Sequence, residues 1–246
     1  MKAILLIGGL GTRLHPLTLT TPKPLLPILD QPFLAYQLDF LRRQGFRDIV
    51  LCTAYRAEDF RLVIGDGARY GVQVSYVHEE SPLGTGGAIK NAEPHIDGPV
   101  LICNGDILMS LNLRELSDVH KRKKALATIA LTKVDDPSAF GVVEIDVDGR
   151  VQRFVEKPAP GETSSHTINA GAYIFEKKVF AMIPPGVPCS VEREVFPTML
   201  AENQPFYGKE LSGYWLDVGT LEKYQQAQQD VASGRYPYSP ANKSNL

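Results

Sequence analysis

The sequence has few cysteines and almost no net charge. Its 246 residues include three cysteines and one tryptophan, and its formal net charge is -2. Three widely spaced cysteines exclude a disulfide framework and a cysteine-based zinc site. A near-neutral chain gives no electrostatic support for binding nucleic acid or a membrane surface. It also lacks the ~18-residue apolar run of a spanning helix and the pattern of a signal peptide. We therefore expect a cytoplasmic protein.

Two familiar nucleotide-binding motifs are also missing. The stretch "GGLGTRLHPLTLTTPKPLLP", residues 8–27, follows an apolar strand, where such motifs begin. A dinucleotide fingerprint, Gly-x-Gly-x-x-Gly counted from Gly9 and Gly11, would require glycine at the position of Leu14. The Gly-Lys-Ser/Thr tripeptide of a P-loop does not occur in the chain. The first helix of a Rossmann or P-loop protein is replaced here by prolines.

The same stretch contains the components of a different phosphate site. Its glycines allow backbone amides to approach phosphate oxygens, and two cations follow, Arg13 and Lys23. Prolines on both sides of Lys23 restrict its backbone and predict a stiff, extended arm on a surface loop. The alternative is an ordinary surface loop with two solvated cations. We favour phosphate binding, with the loop residues Gly8, Gly9, Gly11 and Thr12 against the nucleotide.

The pattern of apolar runs predicts an α/β fold. Strands are expected at 2–7, 48–53, 72–77 and 100–103, with helices at 33–45, 57–67 and 86–96 between them. This alternation implies a mostly parallel sheet flanked by helices. Further strands at 126–134, 140–145, 150–158 and 168–176 predict an antiparallel addition, followed by a strand at 213–219 and a helix at 220–232.

The domain organisation follows from the same pattern. We predict one domain over residues 1–232, with a first part at about 1–125 and a second part at about 126–219. Residues 233–246 have little to bury and are predicted to form a mobile tail. The sequence shows no hexapeptide repeat, so no C-terminal left-handed β-helix is expected.

Two aspartates stand at the ends of predicted strands. Asp106 closes "LICNGD" and Asp217 lies in "WLDVG". Ligands of open α/β sheets bind beyond the carboxyl ends of strands, where an unpaired carboxylate is costly without a cation. Each aspartate could alternatively cap the helix that follows it. Because the two occupy matching positions, we favour a shared metal ion.

Seven ordered motifs give the chain a family resemblance. The stretch at 8–27 is followed by "LGTGGAI", "NGD", "FGVVE", "EKP", "NAG" and "WLDVGT". Over roughly residues 1–230 the chain resembles the sugar-1-phosphate nucleotidyltransferases, the nucleotide-sugar pyrophosphorylases. The resemblance implies a glycosyltransferase-A-like, Rossmann-like fold and transfer of a nucleotidyl group from an NTP to a sugar 1-phosphate, with release of pyrophosphate.

The resemblance implies that the part at about 1–125 is nucleotide-binding and the part at about 126–219 sugar-binding, and it also implies roles for individual residues. Arg13, Lys23, Asp106 and Asp217 would be catalytic, the two aspartates binding Mg²⁺. A second glycine-rich turn would lie beside the nucleotide base through Gly84, Thr85 and Gly86. The sugar phosphate would be bound by Gly141, Glu156, Lys157, Asn169 and Gly171. Glu156 and Lys157 are neighbours on a predicted strand, so their side chains should point to opposite faces unless the strand bends at Pro158.

The substrate is narrowed by the form of the motifs. "LGTGG" and "CSVEREVFP" resemble the guanylyltransferases that act on mannose 1-phosphate or manno-heptose 1-phosphate, so GTP is the favoured NTP. The alternatives are a uridylyl- or thymidylyltransferase for a muramic acid or glucose 1-phosphate, and a non-catalytic homologue that binds nucleotide sugars. Relatives form oligomers, so a homo-oligomer is also an expectation.

Overall fold

The structure is a computed structural model, and it describes residues 1–240. The strands are β1 (Lys2–Leu6), β2 (Pro27–Ile28), β3 (Gln31–Pro32), β4 (Asp48–Thr53), β5 (Gln73–His78), β6 (Val100–Asn104), β7 (Ile107–Met109), β8 (Ala127–Lys133), β9 (Gly141–Ile145), β10 (Val151–Glu156), β11 (Thr167–Phe175), β12 (Phe206–Glu210) and β13 (Trp215–Asp217). The α-helices are α1 (Phe33–Arg43), α2 (Ala57–Ile64), α3 (Gly84–Asn91), α4 (Leu113–Lys123), α5 (Phe196–Ala201) and α6 (Leu221–Ala232).

The chain divides into two compact units. Among residues 1–240, unit 1 combines residues 1–82, 104–111 and the chain from 213 onward, and unit 2 combines residues 83–103 and 112–212. The nucleotide-binding and sugar-binding parts expected on either side of residue 125 stay a prediction. Each unit is built from segments that are far apart in sequence, so an inspection of consecutive composition could not separate them.

Unit 1 contains the parallel strands β1, β4 and β5. β1 pairs with β4 and β4 pairs with β5, both in parallel register. The interiors of β1 and β4 are buried, as expected for continuous apolar runs covered on both faces. Because the three strands run in the same direction, their carboxyl ends meet at one edge, where the loops after Leu6, Thr53 and His78 begin.

Two short antiparallel ribbons complete unit 1, β2 with β3 and β7 with β13. They pack with α1 and α6 around an apolar core. Its buried members include Leu14, Phe33, Tyr36, Leu108 and Leu216. Burial of this side-chain set fixes the β7–β13 ribbon, although each of its strands has only three residues.

Unit 2 is organised around the long strand β11. It pairs in antiparallel register with β6, β8 and β9, and β9 pairs with β10. β12 adds to β8 in parallel. Buried aromatic rings pack behind these strands, with Phe196 stacked on Phe206 at 4.9 Å and edge-on to Tyr173 at 5.7 Å. Phe196 begins α5 and thereby anchors that helix on the sheet.

The predicted α/β fold class is confirmed, with the antiparallel strands added after residue 125 as expected. The short strands β7 and β12 were not predicted. Ile107–Met109 has too few residues to show a period, and Phe206–Glu210 mixes apolar with charged residues. Their pairing partners decide their conformation, and those partners lie far away in sequence.

The predicted mobile tail at 233–246 is wrong for residues up to 240. Tyr236 is 1% exposed and packs edge-on to Tyr36 of α1. Ser239 donates its backbone N–H to Asp39 Oδ2 at 3.1 Å and accepts from Arg42 at 2.7 Å. The tyrosines supply the apolar area that an inspection for hydrophobic runs overlooks. Residues 241–246 lie outside the described part of the chain.

The structure describes all three cysteines and the helices of residues 1–240. Cys52, Cys103 and Cys189 are all buried and unbonded to one another. Burial raises the pKa of the Cys103 thiol to about 12 and raises that of Cys52 as well, so both remain protonated, apolar packing groups. Within residues 1–240 no helix has the length and apolar character needed to cross a membrane.

Candidate active site

The first glycine-rich loop follows β1 and turns back on itself. Gly11 has a φ of 64°, and a Cβ there would lie 3.1 Å from side-chain atoms of both Thr18 and Lys23. Thr18 donates its hydroxyl to Gly11 O at 2.8 Å and closes the loop. Only glycine satisfies both the positive φ and the close approach. A Cβ on Gly9, by contrast, would meet nothing within 4 Å, so the space beside Gly9 is open.

The proline-rich part of the loop is not an extended arm. Three single 3₁₀ turns, Thr12–Leu14, Leu17–Leu19 and Lys23–Leu25, occupy it. The amides of Leu25 and Leu26 close the last turn on the carbonyls of Pro22 and Lys23, at 2.8 and 3.1 Å. The fixed φ of proline suits the second position of such a turn. The prediction of an extended, surface-exposed Lys23 is therefore wrong: Lys23 is 7% exposed.

The β7–β13 ribbon brings the two predicted carboxylates together. Asp217 is the last residue of β13 and lies opposite Ile107, the residue that follows Asp106. The amide of Val218 donates to Asp106 O at 2.9 Å. Backbone pairing thus places the two aspartates side by side although they are far apart in sequence. The alternative in which each merely caps a helix is not observed, because the caps of α4 and α6 are Asn112 and Thr220.

Two cations surround this carboxylate pair. Lys23 Nζ lies 3.3 Å from Asp106 Oδ2. A Cβ built on Gly219 would lie 3.0 Å from Asp217 Oδ2 and 3.1 Å from both terminal nitrogens of Arg13, so the guanidinium and the carboxylate share the space that Gly219 leaves. Arg13, Lys23, Asp106 and Asp217 all belong to unit 1. The structure thereby brings all four predicted catalytic residues together.

The electrostatics of the pair favour an added cation. Burial raises the pKa of Asp217 above its ordinary value, the neighbouring Asp106 raises it further, and Lys23 and Arg13 oppose both effects. No group of three or more His, Cys, Asp or Glu side chains suited to a metal occurs within residues 1–240. Two carboxylates nevertheless fit Mg²⁺, which keeps several waters and takes its remaining ligands from substrate phosphates.

The second glycine-rich turn, in unit 2, is shaped by the segment that contains Cys189. A Cβ on Gly84 would lie 2.6 Å from Cys189 O, and one on Gly86 would lie 2.9 Å from its sulfur. Gly86 N donates to Cys189 O at 2.8 Å. Thr85 donates its hydroxyl to Glu192 at 2.7 Å and accepts from Val191 N at 2.9 Å. Packing therefore accounts for these residues, and base binding by Gly84, Thr85 and Gly86 stays a prediction.

Glu156 and Lys157 face one another through a local backbone bend. β10 ends at Glu156, and Lys157 adopts a φ of 54°, a conformation uncommon for residues other than glycine. The bend brings Lys157 Nζ to 4.0 Å from Glu156 Oε1. The opposite-face arrangement expected for a regular strand is thereby avoided, one residue before the predicted bend at Pro158. Unusual backbone of this kind is frequent at binding sites.

The other predicted sugar-site residues lie on neighbouring strands of unit 2. A Cβ on Gly141 would lie 3.0 Å from Glu156 Oε2, so Gly141 permits the carboxylate to approach. Asn169 accepts the Gly171 N–H at 2.8 Å, and β11 shifts register between Asn169 and Tyr173. Burial raises the pKa of Glu156, Glu192 raises it further, and Lys157 and Arg193 oppose the shift. Gly141, Glu156 and Lys157 thus form one cluster.

Three polar residues beside the predicted positions were missed. Glu79 is 7% exposed and follows β5, and its Oε1 lies 3.5 Å from the position of a Cβ on Gly8. Glu192 binds Thr85 of the second glycine turn. Gln37, 4% exposed, is hydrogen-bonded to the turn that carries Asp106. Glu79 could have been noticed as a carboxylate at a strand end, whereas Gln37 and Glu192 look like ordinary helix residues.

The combination of an α/β sheet, a glycine loop, two cations and two carboxylates is typical of proteins that bind phosphate groups. The family model described as Nucleotidyl transferase matches residues 2–234. The chain belongs to this family.

Individual relatives agree with the family. The mannose-1-phosphate guanylyltransferase of Mycobacterium tuberculosis is 43% identical over 243 residues, which is 98% of this chain and 67% of that protein. The UTP–glucose-1-phosphate uridylyltransferase of a Synechocystis species is 36% identical, over 95% of this chain and 64% of that protein. The chain thus spans about two thirds of the length of these curated relatives.

Solved structures show the same fold. HddC from Yersinia pseudotuberculosis, complexed with GMP-PN, is 31% identical with a TM-score of 0.80 and covers 94% of this chain and 99% of its own. A UDP-glucose pyrophosphorylase complexed with UDP-glucose is 22% identical, has a TM-score of 0.81 and supports the fold alone. The Rossmann-like fold of the family is therefore established for this chain.

Proposed function

We propose that this chain transfers a guanylyl group from GTP to mannose 1-phosphate or manno-heptose 1-phosphate, giving the GDP-sugar and pyrophosphate. The observation that carries the proposal is the centre in unit 1, where Arg13, Lys23, Asp106 and Asp217 meet. A non-catalytic homologue would be expected to lose one of these groups. The reaction is proposed to take place in the cytoplasm, without nucleic acid or membrane, and a homo-oligomer stays a prediction.

The reaction joins two polyanions. An oxygen of the sugar phosphate attacks the α-phosphorus of GTP in line, the bond between the α-phosphorus and the bridging oxygen breaks, and pyrophosphate leaves. The attacking oxygen is already anionic, so no side chain has to remove a proton. The requirements are charge neutralisation and alignment, which a set of charges held close together by the fold provides.

Asp106 and Asp217 would hold the metal, for which we propose Mg²⁺. When bound, the ion would supply positive charge to the α-phosphate and the attacking oxygen. The raised pKa of Asp217 supports this assignment, because a cation would relieve the repulsion between the two carboxylates. Arg13 would neutralise charge on the triphosphate, and Lys23 would exchange its contact with Asp106 for one with the departing pyrophosphate. The amides of the Gly8–Thr12 loop would bind the same phosphates.

The cluster in unit 2 is proposed to bind the sugar phosphate. Glu156 would accept hydrogen bonds from sugar hydroxyls, and Lys157 would contact the phosphate as a point charge. Asn169 offers amide groups for hydroxyls, and the glycines at 141 and 171 permit close approach of the backbone. The turn at Gly84–Gly86 is proposed to lie beside the base.

GTP and the 1-phosphate of a manno-configured sugar are the favoured substrates. The name of the Mycobacterium tuberculosis relative and the GMP-PN complex of HddC support guanine. The Synechocystis relative, named as a uridylyltransferase for glucose 1-phosphate, supports the second candidate, a uridylyl- or thymidylyltransferase for a different sugar. The first candidate is preferred because more of the similarity points to it.

The test is pyrophosphate release from a matrix of substrates. GTP, UTP, dTTP, ATP and CTP are each combined with mannose, manno-heptose, glucose, N-acetylglucosamine and muramic acid 1-phosphates in the presence of Mg²⁺. We expect turnover to be highest with GTP and one of the manno sugars. Turnover with UTP or dTTP and glucose 1-phosphate alone would favour the second candidate. A matrix that yields no pyrophosphate at all would refute both.

A further inference from the structure

Gln37 is a buried amide on α1, a helix whose buried residues are mostly apolar. It lies on α1, is 4% exposed, and has the buried residues Tyr36 and Leu38 on either side. A buried amide costs free energy unless it is hydrogen-bonded, and an apolar side chain would fill the same space more cheaply. Its presence therefore requires a reason other than packing.

Its side-chain nitrogen bridges the two ends of one turn. Gln37 Nε2 donates to Asn104 O at 3.3 Å and to Ile107 O at 3.0 Å. These residues flank Gly105 and Asp106, the connection from β6 to β7. Among residues 1–240, Gln37 Oε1 has no hydrogen-bond partner. The contribution of the side chain therefore lies in its two N–H donors, both directed at this turn.

The turn is also fixed from β1. Gly105 donates its N–H to Leu6 O at 2.9 Å, and a Cβ on Gly105 would lie 2.4 Å from Ile7 Cγ2 and 2.5 Å from Leu6 O. The turn is thus held by β1 at its glycine and by Gln37 at its two ends. Asp106 is the charged residue that this arrangement presents.

We propose that Gln37 is a positioning residue for the metal ligand Asp106. By donating hydrogen bonds to the carbonyls of Asn104 and Ile107, Gln37 fixes the position of the turn and keeps the Asp106 carboxylate beside Asp217. This inference rests on the proposed function, which assigns the metal to these two aspartates. Hydrogen-bonding partners behind a metal ligand typically change metal affinity by about 10- to 100-fold when they are removed.

The experiment compares two substitutions on the same helix. Gln37→Met keeps the volume and removes both donors. Asp39→Asn is the matched control, because Asp39 is also buried but is bonded to Arg42, Arg43 and Ser239, away from the turn. Binding of Mn²⁺ alone is measured by electron paramagnetic resonance on the intact chain without nucleotide, and folding is checked by circular dichroism.

We expect Gln37→Met to weaken Mn²⁺ binding by about 10-fold or more, and Asp39→Asn to leave it unchanged even if its melting temperature falls. The turnover of Gln37→Met should recover in part at high Mg²⁺ concentration, which a general loss of stability would not produce. Wild-type Mn²⁺ affinity in Gln37→Met, or an equal loss in Asp39→Asn, would overturn the inference.

A second variant covers poor folding of the first. Gln37→Asn retains an amide but is one methylene shorter, so it cannot reach both carbonyls, and it should also weaken Mn²⁺ binding. The failure of the inference and of the proposed function are distinguishable. If the wild-type chain binds no Mn²⁺, or if Asp217→Asn binds Mn²⁺ as well as the wild type, the metal assignment itself fails. If the wild type binds Mn²⁺ at this site and the Gln37 variants bind it equally well, the inference alone fails.

Discussion

The two charged clusters of this chain are built in opposite ways. In unit 1, Arg13, Lys23, Asp106 and Asp217 come from sequence-distant segments, and the pairing of β7 with β13 and the ion pair of the buried Lys23 with Asp106 bring them together. In unit 2, Glu156 and its sequence neighbour Lys157 meet because one residue adopts a positive φ. The first cluster therefore depends on contacts between distant segments, while the second depends on a local backbone conformation. This difference predicts where substitutions act on catalysis and where they act on binding.

The largest effect is expected at Asp217. Asp217→Asn keeps the size of the side chain, removes one of the two carboxylates, and should lower Mg²⁺-dependent turnover by roughly 10³-fold. Asp148→Asn, at an exposed aspartate of unit 2, is the control and should leave turnover unchanged. The rate of pyrophosphate release measures both. Near-normal turnover of Asp217→Asn at ordinary Mg²⁺ would refute the two-carboxylate centre.

The next largest effect is expected at Lys23. Because Lys23 is buried, Lys23→Met preserves packing better than an alanine and tests the charge alone. We expect turnover to fall by about 10²-fold, with KM for the sugar phosphate little changed. Lys121→Met, on the charged end of α4, serves for comparison. If both variants retain full turnover, the role of the Lys23 charge is wrong.

Gly219 tests whether the unit 1 cluster is as crowded as its geometry indicates. A methyl group there would press against both Asp217 and Arg13, so Gly219→Ala should displace the guanidinium and reduce kcat/KM by about 10-fold. Gly98→Ala is a suitable control, since its Cβ would meet nothing within 4 Å. Equal kinetics for the two variants would contradict the close approach.

A smaller and different effect is expected at Glu156. The pKa of Glu156 is higher in the folded chain than in the unfolded chain. Ionised Glu156 therefore destabilises the fold at pH values above the folded pKa, and this destabilisation disappears below the unfolded pKa, which is near 4.3. Glu156→Gln should therefore have a higher Tm than wild type at pH 7 and the same Tm at about pH 4. Its KM for sugar 1-phosphate should rise while KM for GTP does not. Thermal melts at both pH values and steady-state kinetics measure these effects; a lower Tm at pH 7 would contradict the pKa shift.

Sequence reasoning located the charges of unit 1 better than their surroundings. Asp106 and Asp217 were placed at strand ends, where the structure has them, because carboxylates in that position are a chemical signal. The burial of Lys23 could not be predicted, since proline stiffness does not reveal that the turns fold back under Gly11. The role of Gln37 could not be predicted from the helix that carries it, because its partners at 104 and 107 are distant in sequence.

In unit 2 the limits were of another kind. The motif "EKP" suggested a bend near Pro158, but the positive φ of Lys157 leaves no mark in the composition of the segment. The second glycine turn looked like a ligand-binding loop, and its glycines have a packing reason in Cys189 that only the folded chain reveals. The irregular position of Asn169 on β11 is likewise a matter of register, which depends on several strands at once.

The C-terminal segment at residues 233–240 packs on the outside of α1. Tyr236 and Ser239 bind the helix that bears Gln37, through Tyr36 and Asp39. A protease cut or a bulky label between residues 233 and 239 would therefore remove these contacts with α1 without touching a charged residue of the centre. A fluorophore in this segment would report whether residues 233–239 stay docked on α1, in a protein with every proposed ligand in place.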